Sequence, residues 1–172
     1  MNLFLLRHGL AVERDPKSFP DDSRRPLTLK GEERLRLIAK AMGTMELSFD
    51  RIVSSPYRRA SQTAEIVASA LDRRKTLEFH EQLTPAGDPR RLIRYLSRLD
   101  PAPENVLLVG HEPYLSLLIS RLISGEATAG ILMKKGGLAK LEVQPQLRHG
   151  RCAALAWLLA PRQMMLMGGA PG

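Results

Sequence analysis

Cysteine is almost missing from this chain. Cys152 stands alone among 172 residues, so no disulfide can close within it, and a reducing setting is expected. Long apolar runs are missing as well. The first, after Met1, meets Arg7 within a few residues, which is too short for the core of a secretory signal. No later stretch approaches the ~20 residues needed to cross a bilayer, so a cytoplasmic location and no membrane role are expected. Aromatic side chains are few, at 5%. That removes the stacking platforms on which single-stranded nucleic acids are held.

What is present is ordinary in amount and basic in balance. Hydrophobic residues make up 44% and charged residues 26%, which suits a globular chain with no disordered bias. The length fits a single domain over residues 1–172, able to bury roughly two-thirds of its unfolded surface. The formal net charge of +8 favours anionic partners or phosphates. The cations are scattered, however (Arg24, Arg25, Arg73, Arg74, Lys75, Lys134, Lys135), and form no stripe. Nucleic-acid binding is therefore disfavoured.

Hydrophobic periodicity lays out alternating strands and helices. Residues 2–7 form an apolar strand that ends in Arg7-His8-Gly9, followed by a polar, proline-containing loop over residues 10–27. Thr28 is placed to cap a helix that carries Leu35, Ile38, Ala39 and Met42 on one face. Residues 51–54 form a second strand. Pro56 suits the first turn of a helix that turns Tyr57, Ala60, Ala64, Val67 and Leu71 inward. Residues 76–79 form a third strand and residues 88–99 a helix bearing Leu92, Ile93, Leu96 and Leu99. Residues 105–109 form the clearest buried strand, followed by a helix with Leu115, Leu118, Ile119, Leu122 and Ile123. Residues 138–143 and 153–159 make a strand pair around a basic turn. The tail after Pro161 forms a short helix with a loose end. The alternation predicts an α/β protein: a three-layer α/β/α sandwich around a mostly parallel sheet, mixed if the last two strands form a hairpin.

Three strand ends carry unusual polar residues: Arg7-His8-Gly9, Ser54-Ser55-Pro56 with Arg58 and Arg59 just beyond, and Gly110-His111-Glu112. Ligands of open α/β sheets bind beyond the carboxyl ends of the strands. If these strands are parallel neighbours, two imidazoles and at least two guanidiniums converge there, a set suited to a dianionic oxyanion. Each element alone has a plainer account, as a structural histidine, a solvated arginine or a turn glycine. Together they are costly to bury without an anion to hold.

At these residues the chain resembles the histidine phosphatase superfamily, of phosphoglycerate mutase-like fold. Leu6-Arg7-His8-Gly9 matches the family hallmark, and Pro26-Leu27-Thr28 with Gly31 resembles the element that opens the first helix. The run from Ser54 to Ala64 looks like the second signature and Val109-Gly110-His111-Glu112-Pro113 like the third. The compact length and Leu83-Thr84-Pro85-Ala86-Gly87-Asp88 are most similar to phosphohistidine phosphatases of the SixA type. The resemblance implies that His8 is the nucleophile and Arg7 its phosphate-binding neighbour. Arg59, the arginine directly before alanine, and a protonated His111 complete the clamp. Thr28 and Ser55 are better read as a helix cap and a turn residue.

A neutral imidazole is a competent nucleophile and a good leaving group, so a phosphohistidine splits one hard displacement into two easier ones. Guanidiniums on the equatorial oxygens would replace the metal used elsewhere, and no cofactor is expected. The family's general acid falls in Phe79-His80-Glu81-Gln82-Leu83, and the register puts Gln82 where a carboxylate is expected. Glu81 is the nearest candidate acid, and Glu112 is a candidate to shape the pocket. An imidazole leaving group needs less protonation than an alkoxide, which favours a phosphohistidine substrate. No insertion is large enough to form a lid, so an open pocket for a phosphorylated protein is expected. The alternatives are a phosphatase for small phosphomonoesters and a non-catalytic module that senses phosphate or binds nucleic acid. His80, Glu81, His111 and Glu112 offer metal-ligand types without a metal-site spacing, and no metal is expected.

Overall fold

The computed structural model describes residues 1–170. Its strands are β1 (Asn2–Arg7), β2 (Arg51–Ser54), β3 (Leu77–Phe79), β4 (Asn105–Gly110), β5 (Leu138–Val143) and β6 (Ala153–Leu159). Its helices are α1 (Leu29–Thr44), α2 (Arg58–Ala70), α3 (Pro89–Leu96), α4 (Tyr114–Ser124) and α5 (Pro161–Met167). The strands form one sheet in the order β3-β2-β4-β1-β5-β6. β1, β2, β3 and β4 run parallel, while β5 runs antiparallel to β1 and β6 antiparallel to β5. The sheet is mixed, as the short connection between the last two strands requires.

The apolar runs of β1 and β4 have no polar face because both sides of the sheet are covered. Leu3, Leu5, Val106 and Leu108 pack with Leu92, Leu118 and Ile119 from α3 and α4. Phe4, Leu6, Leu107 and Val109 pack with Leu35, Ile38, Ala64 and Val67 from α1 and α2, and with Met164 from α5. Each such burial contributes roughly 2 kcal/mol. The alternation of side chains along the strands thus builds three layers. This is the expected α/β/α sandwich.

Several boundaries differ from the expected ones: β4 runs one residue further, to Gly110, and α3 starts one residue later, at Pro89. α2 begins at Arg58, two residues after Pro56, because Ser55 Oγ accepts the Tyr57 N–H at 3.3 Å and holds a turn there. α3 ends at Leu96 rather than residue 99. The N–H groups of Arg98 and Leu99 reach back only three residues, to Tyr95 and Leu96, which tightens the end into turns. β3 starts at Leu77, since Thr76 belongs to a 3₁₀ turn. Thr28 caps α1 by accepting the Gly31 N–H at 3.0 Å, and its own N–H donates to the Leu10 carbonyl. A Cβ at Gly31 would collide with that same carbonyl oxygen, so the approach of the loop to α1 requires glycine. The expected tail helix is α5, and the loose end expected at Pro171 and Gly172 lies outside the described residues.

Candidate active site

The sheet order places β4 between β1 and β2, so the three polar strand ends lie side by side. Register brings them level. Arg7 pairs with Gly110 and Ser54 with Val109, and pairing continues past the strands. The His8 N–H donates to the Gly110 carbonyl at 3.0 Å and the Ser55 N–H to the Val109 carbonyl at 2.9 Å. The His8 and His111 rings end up with centroids 5.1 Å apart.

His8 is held as one tautomer. Its Nδ1 lies 2.8 Å from the Gly9 carbonyl, which can only accept, so Nδ1 carries the proton. Nε2 therefore presents a lone pair, and the Arg59 Nε–H donates to it at 3.3 Å. Burial pushes the His8 pKa down to about 3. The Gly9 hydrogen bond opposes that shift, and the neighbouring His111, Arg59 and Arg7 deepen it. The imidazole is neutral at pH 7.

His111 Nε2 lies 2.8 Å from Ser55 Oγ. That hydroxyl oxygen also accepts the Tyr57 N–H, so Ser55 ties His111 to the turn that opens α2. His111 Nδ1 is buried and without a partner. Arg7 shows the same pattern: Nη1 donates to the Met133 carbonyl at 2.7 Å, while its Nε is buried with no partner. Two buried polar nitrogens without a partner among the described residues leave room for a polar ligand, and an oxyanion would suit the Arg7 Nε–H.

Arg59 leaves the first turn of α2 with only 3% of its surface exposed, whereas Arg58 is exposed. Thr63, one turn on, accepts the Gly9 N–H at 3.1 Å and donates to the Arg59 carbonyl at 2.7 Å. Gln62 accepts the Leu27 N–H at 2.9 Å. Helix α2 thus fastens both the exit of β1 and the far end of the polar loop. Within that loop Asp22 bridges two arginines, Arg59 Nη2 at 3.0 Å and Arg25 Nε at 2.9 Å. Asp22, Gln62 and Thr63 were not singled out individually in the sequence, and Arg25 stood there only as one of the scattered cations. Gln62 and Thr63 sit inside the second signature, but a lone aspartate in a polar loop carries no pattern of its own.

The other expected residues lie as follows. Both carboxylate oxygens of Glu112 are held by Ser116, from its N–H at 3.2 Å and its hydroxyl at 2.6 Å, so Glu112 caps α4. It remains near enough to Arg7 to oppose the fall in pKa that burial causes there. Glu81 is exposed, in a 3₁₀ turn, and none of the described hydrogen bonds engages its carboxylate. Gln82 uses its Oε1 to accept the Asp88 N–H at 2.7 Å, which is a loop-building role. The His80 ring stacks on Tyr95 at 4.4 Å. Among the described residues, no three His, Cys, Asp or Glu side chains are grouped to share a metal ion.

In the unliganded site His111 is neutral, because burial, with Arg59 next and the opposing Asp22 charge weaker, pushes its pKa down to about 3. A bound dianion would move it up again by Coulomb attraction. His8 is 5% and His111 1% exposed.

Both histidine shifts tie stability to pH. The unfolded imidazoles take protons near pH 6.5, but the folded ones resist until about pH 3, so the unfolded state binds more protons in between. Stability is full above pH 6.5 and falls as the pH is lowered. At about 1.4 kcal/mol per pH unit per group, the two histidines should lower Tm by roughly 5–10 °C per unit below pH 6. Melting curves from pH 7 to 4 check this against a His8→Gln/His111→Gln variant, whose Tm should fall less steeply. Parallel slopes would refute it.

A mixed sheet of this order, with paired imidazoles and guanidiniums at its carboxyl edge, defines a phosphatase of phosphoglycerate mutase-like fold. The chain belongs to the histidine phosphatase superfamily (branch 1), whose family model matches residues 3–85. It is 35% identical over 127 residues to the phosphohistidine phosphatase SixA of Escherichia coli K12, covering 73% of this chain and 76% of that one. A solved structure of the protein histidine phosphatase SixA complexed with tungstate superimposes with a TM-score of 0.82 at 28% identity. That match covers 94% of this chain and 98% of the other. The adenosylcobalamin/alpha-ribazole phosphatase of Salmonella typhimurium LT2 is 28% identical over 171 residues, covering 75% of this chain and 83% of that one.

Proposed function

We propose that this protein is a phosphohistidine phosphatase acting on a phosphorylated signalling protein, with His8 as the nucleophile. One observation carries the reading. The neutral His8 ring offers a lone pair at Nε2 beside the Arg59 guanidinium, and two buried nitrogens of the neighbouring strand ends, Arg7 Nε and His111 Nδ1, have no partner among the described residues. The phosphoryl group passes from the substrate nitrogen to Nε2, and the substrate imidazole leaves with the bonding pair. Water then attacks phosphorus and frees His8, releasing inorganic phosphate. Arg7, Arg59 and His111 hold the equatorial oxygens throughout, where charge is greatest.

The leaving group decides between substrates. An alkoxide needs a positioned acid, whereas Gln82 stands at the expected place and is bound to the Asp88 N–H. Glu81 is the remaining carboxylate there, exposed and unanchored. An imidazole leaves with less help, which supports phosphohistidine, as does the similarity to SixA over most of the chain. The recessed site suits a slender side chain carrying phosphate at its tip.

A phosphorylated histidine phosphotransfer domain and p-nitrophenyl phosphate, assayed side by side, test the proposal. Binding energy from the protein surface beyond the phosphoryl group should raise kcat/KM for the domain by ~10² or more. The reverse order would hand the site to small phosphomonoesters, and phosphate binding without turnover of either would leave only a sensing module.

A further inference from the structure

A guanidinium is a planar fork with two bidentate edges. One is end-on, from Nη1 and Nη2; the other is side-on, from Nε and Nη2. On Arg59 the first edge is taken by Asp22. The Asp22 backbone carbonyl accepts from Nη1 at 2.9 Å, and its carboxylate Oδ2 meets Nη2 at 3.0 Å. The second edge faces His8, with Nε 3.3 Å from Nε2. A phosphoryl group on that nitrogen would meet Nε–H and the remaining Nη2–H, a pair spaced for two oxygens of a tetrahedral anion. We propose that Asp22 is a positioning residue for phosphoryl transfer, holding the far edge of Arg59 so that its near edge faces the His8 nitrogen.

This rests on the reading of His8 as nucleophile and adds the device that aims its partner. Asp22 is itself anchored from the opposite side. Arg25 Nε donates to its Oδ1 at 2.9 Å, and Arg25 Nη1 donates to the Val12 carbonyl at 2.8 Å. Next to Val12, Ala11 bridges to Leu27, whose N–H is held by Gln62 of α2. The contacts therefore run from His8 through Arg59, Asp22 and Arg25, and return to the helix that carries Arg59. Such a closed ring restrains a long side chain better than a single ion pair does.

Two other roles for Asp22 fail on the same geometry. As a general acid it would need a proton to give. Burial alone would raise its pKa, but the Arg25 hydrogen bond and the charges of Arg59 and Arg25 outweigh this and hold it below the usual carboxylate range. As a placeholder for the anion it would have to occupy the side-on edge, and it occupies the other one.

The roles differ in sign, which makes them testable in the full chain. Turnover of p-nitrophenyl phosphate and calorimetric binding of inorganic phosphate would be measured for Asp22→Ala and Asp22→Asn. Loss of alignment should lower kcat about 10- to 100-fold in the alanine variant, with a smaller change in KM, and weaken phosphate binding. Asparagine keeps both the backbone carbonyl and a side-chain oxygen for the fork, so it should recover most of kcat. A gain in phosphate affinity or kcat on going to alanine would overturn the proposal, as would asparagine as slow as alanine. Should the alanine variant lose its cooperative melt, asparagine decides alone. A kcat within a few-fold of wild type, with phosphate affinity kept, supports alignment; tighter phosphate or a larger loss of kcat refutes it. Phosphate binding needs no turnover, so a wild-type chain that binds phosphate but hydrolyses nothing would sink the functional reading while still testing Asp22.

Discussion

Replacing His8 with alanine should lower turnover by roughly 10⁴–10⁶, the scale seen when a covalent nucleophile is removed, and should abolish the phosphoenzyme. No neighbour can take over. Ser55 Oγ is engaged with His111 and the Tyr57 N–H, and His111 Nε2 is bound to the serine. Losing the ring also leaves the Arg59 Nε–H without its acceptor, so the variant should melt somewhat lower. The measurement is rapid quenching with radiolabelled substrate, followed by a test of lability. Wild type should carry phosphate that acid releases and base does not; the variant should carry none. Label persisting in the alanine variant, or turnover within about a hundredfold of wild type, would remove His8 from the mechanism.

Arg59→Ala comes next in size, with an expected loss of ~10²–10³ in kcat. The argument is geometric before it is electrostatic. One planar group meets Asp22 on one edge and His8 on the other, at 3.0 and 3.3 Å. Lysine offers charge without the fork, so Arg59→Lys should stay within about tenfold of the alanine variant rather than recover. Stability should fall too, because removing Arg59 leaves the Asp22 carboxylate with Arg25 alone. Steady-state kinetics on both variants, alongside thermal melts, check the pair. A lysine variant with wild-type kcat would show that charge alone is needed and that edge geometry is not.

The resting site has a bearing on both results. Its two histidines are neutral because burial outweighs every local attraction, with both pKa values pushed down to about 3. Neutrality gives His8 its lone pair. It also means that His111 would meet an anion uncharged until the anion's own charge raised its pKa. The positive charge felt at His111 comes from Arg59, Arg25 and Arg7.

The chain order of strands and helices was legible because it depends on local periodicity. Leu3-Phe4-Leu5-Leu6 is apolar at every position, and such a run belongs to a strand covered on both faces, wherever its partners lie. The convergence of the three strand ends was legible too, since parallel neighbours must end on the same side of the sheet. Helix ends were less so. Pro56 suits a first helical turn in isolation, but the Ser55 hydroxyl takes the Tyr57 N–H and delays the helix to Arg58.

By itself, then, the order of residues determined the layers of the fold and the polar groups gathered at one edge, since both follow from interactions along a few successive positions. Only the tertiary structure decided the path of the loop over residues 10–27, the pairing of Asp22 with Arg59, the link between Ser55 and His111, and the proton inventory of the two imidazoles. Those depend on burial and, for the Asp22–Arg59 and Ser55–His111 links, on contacts between residues 37 and 56 positions apart, which no local pattern encodes.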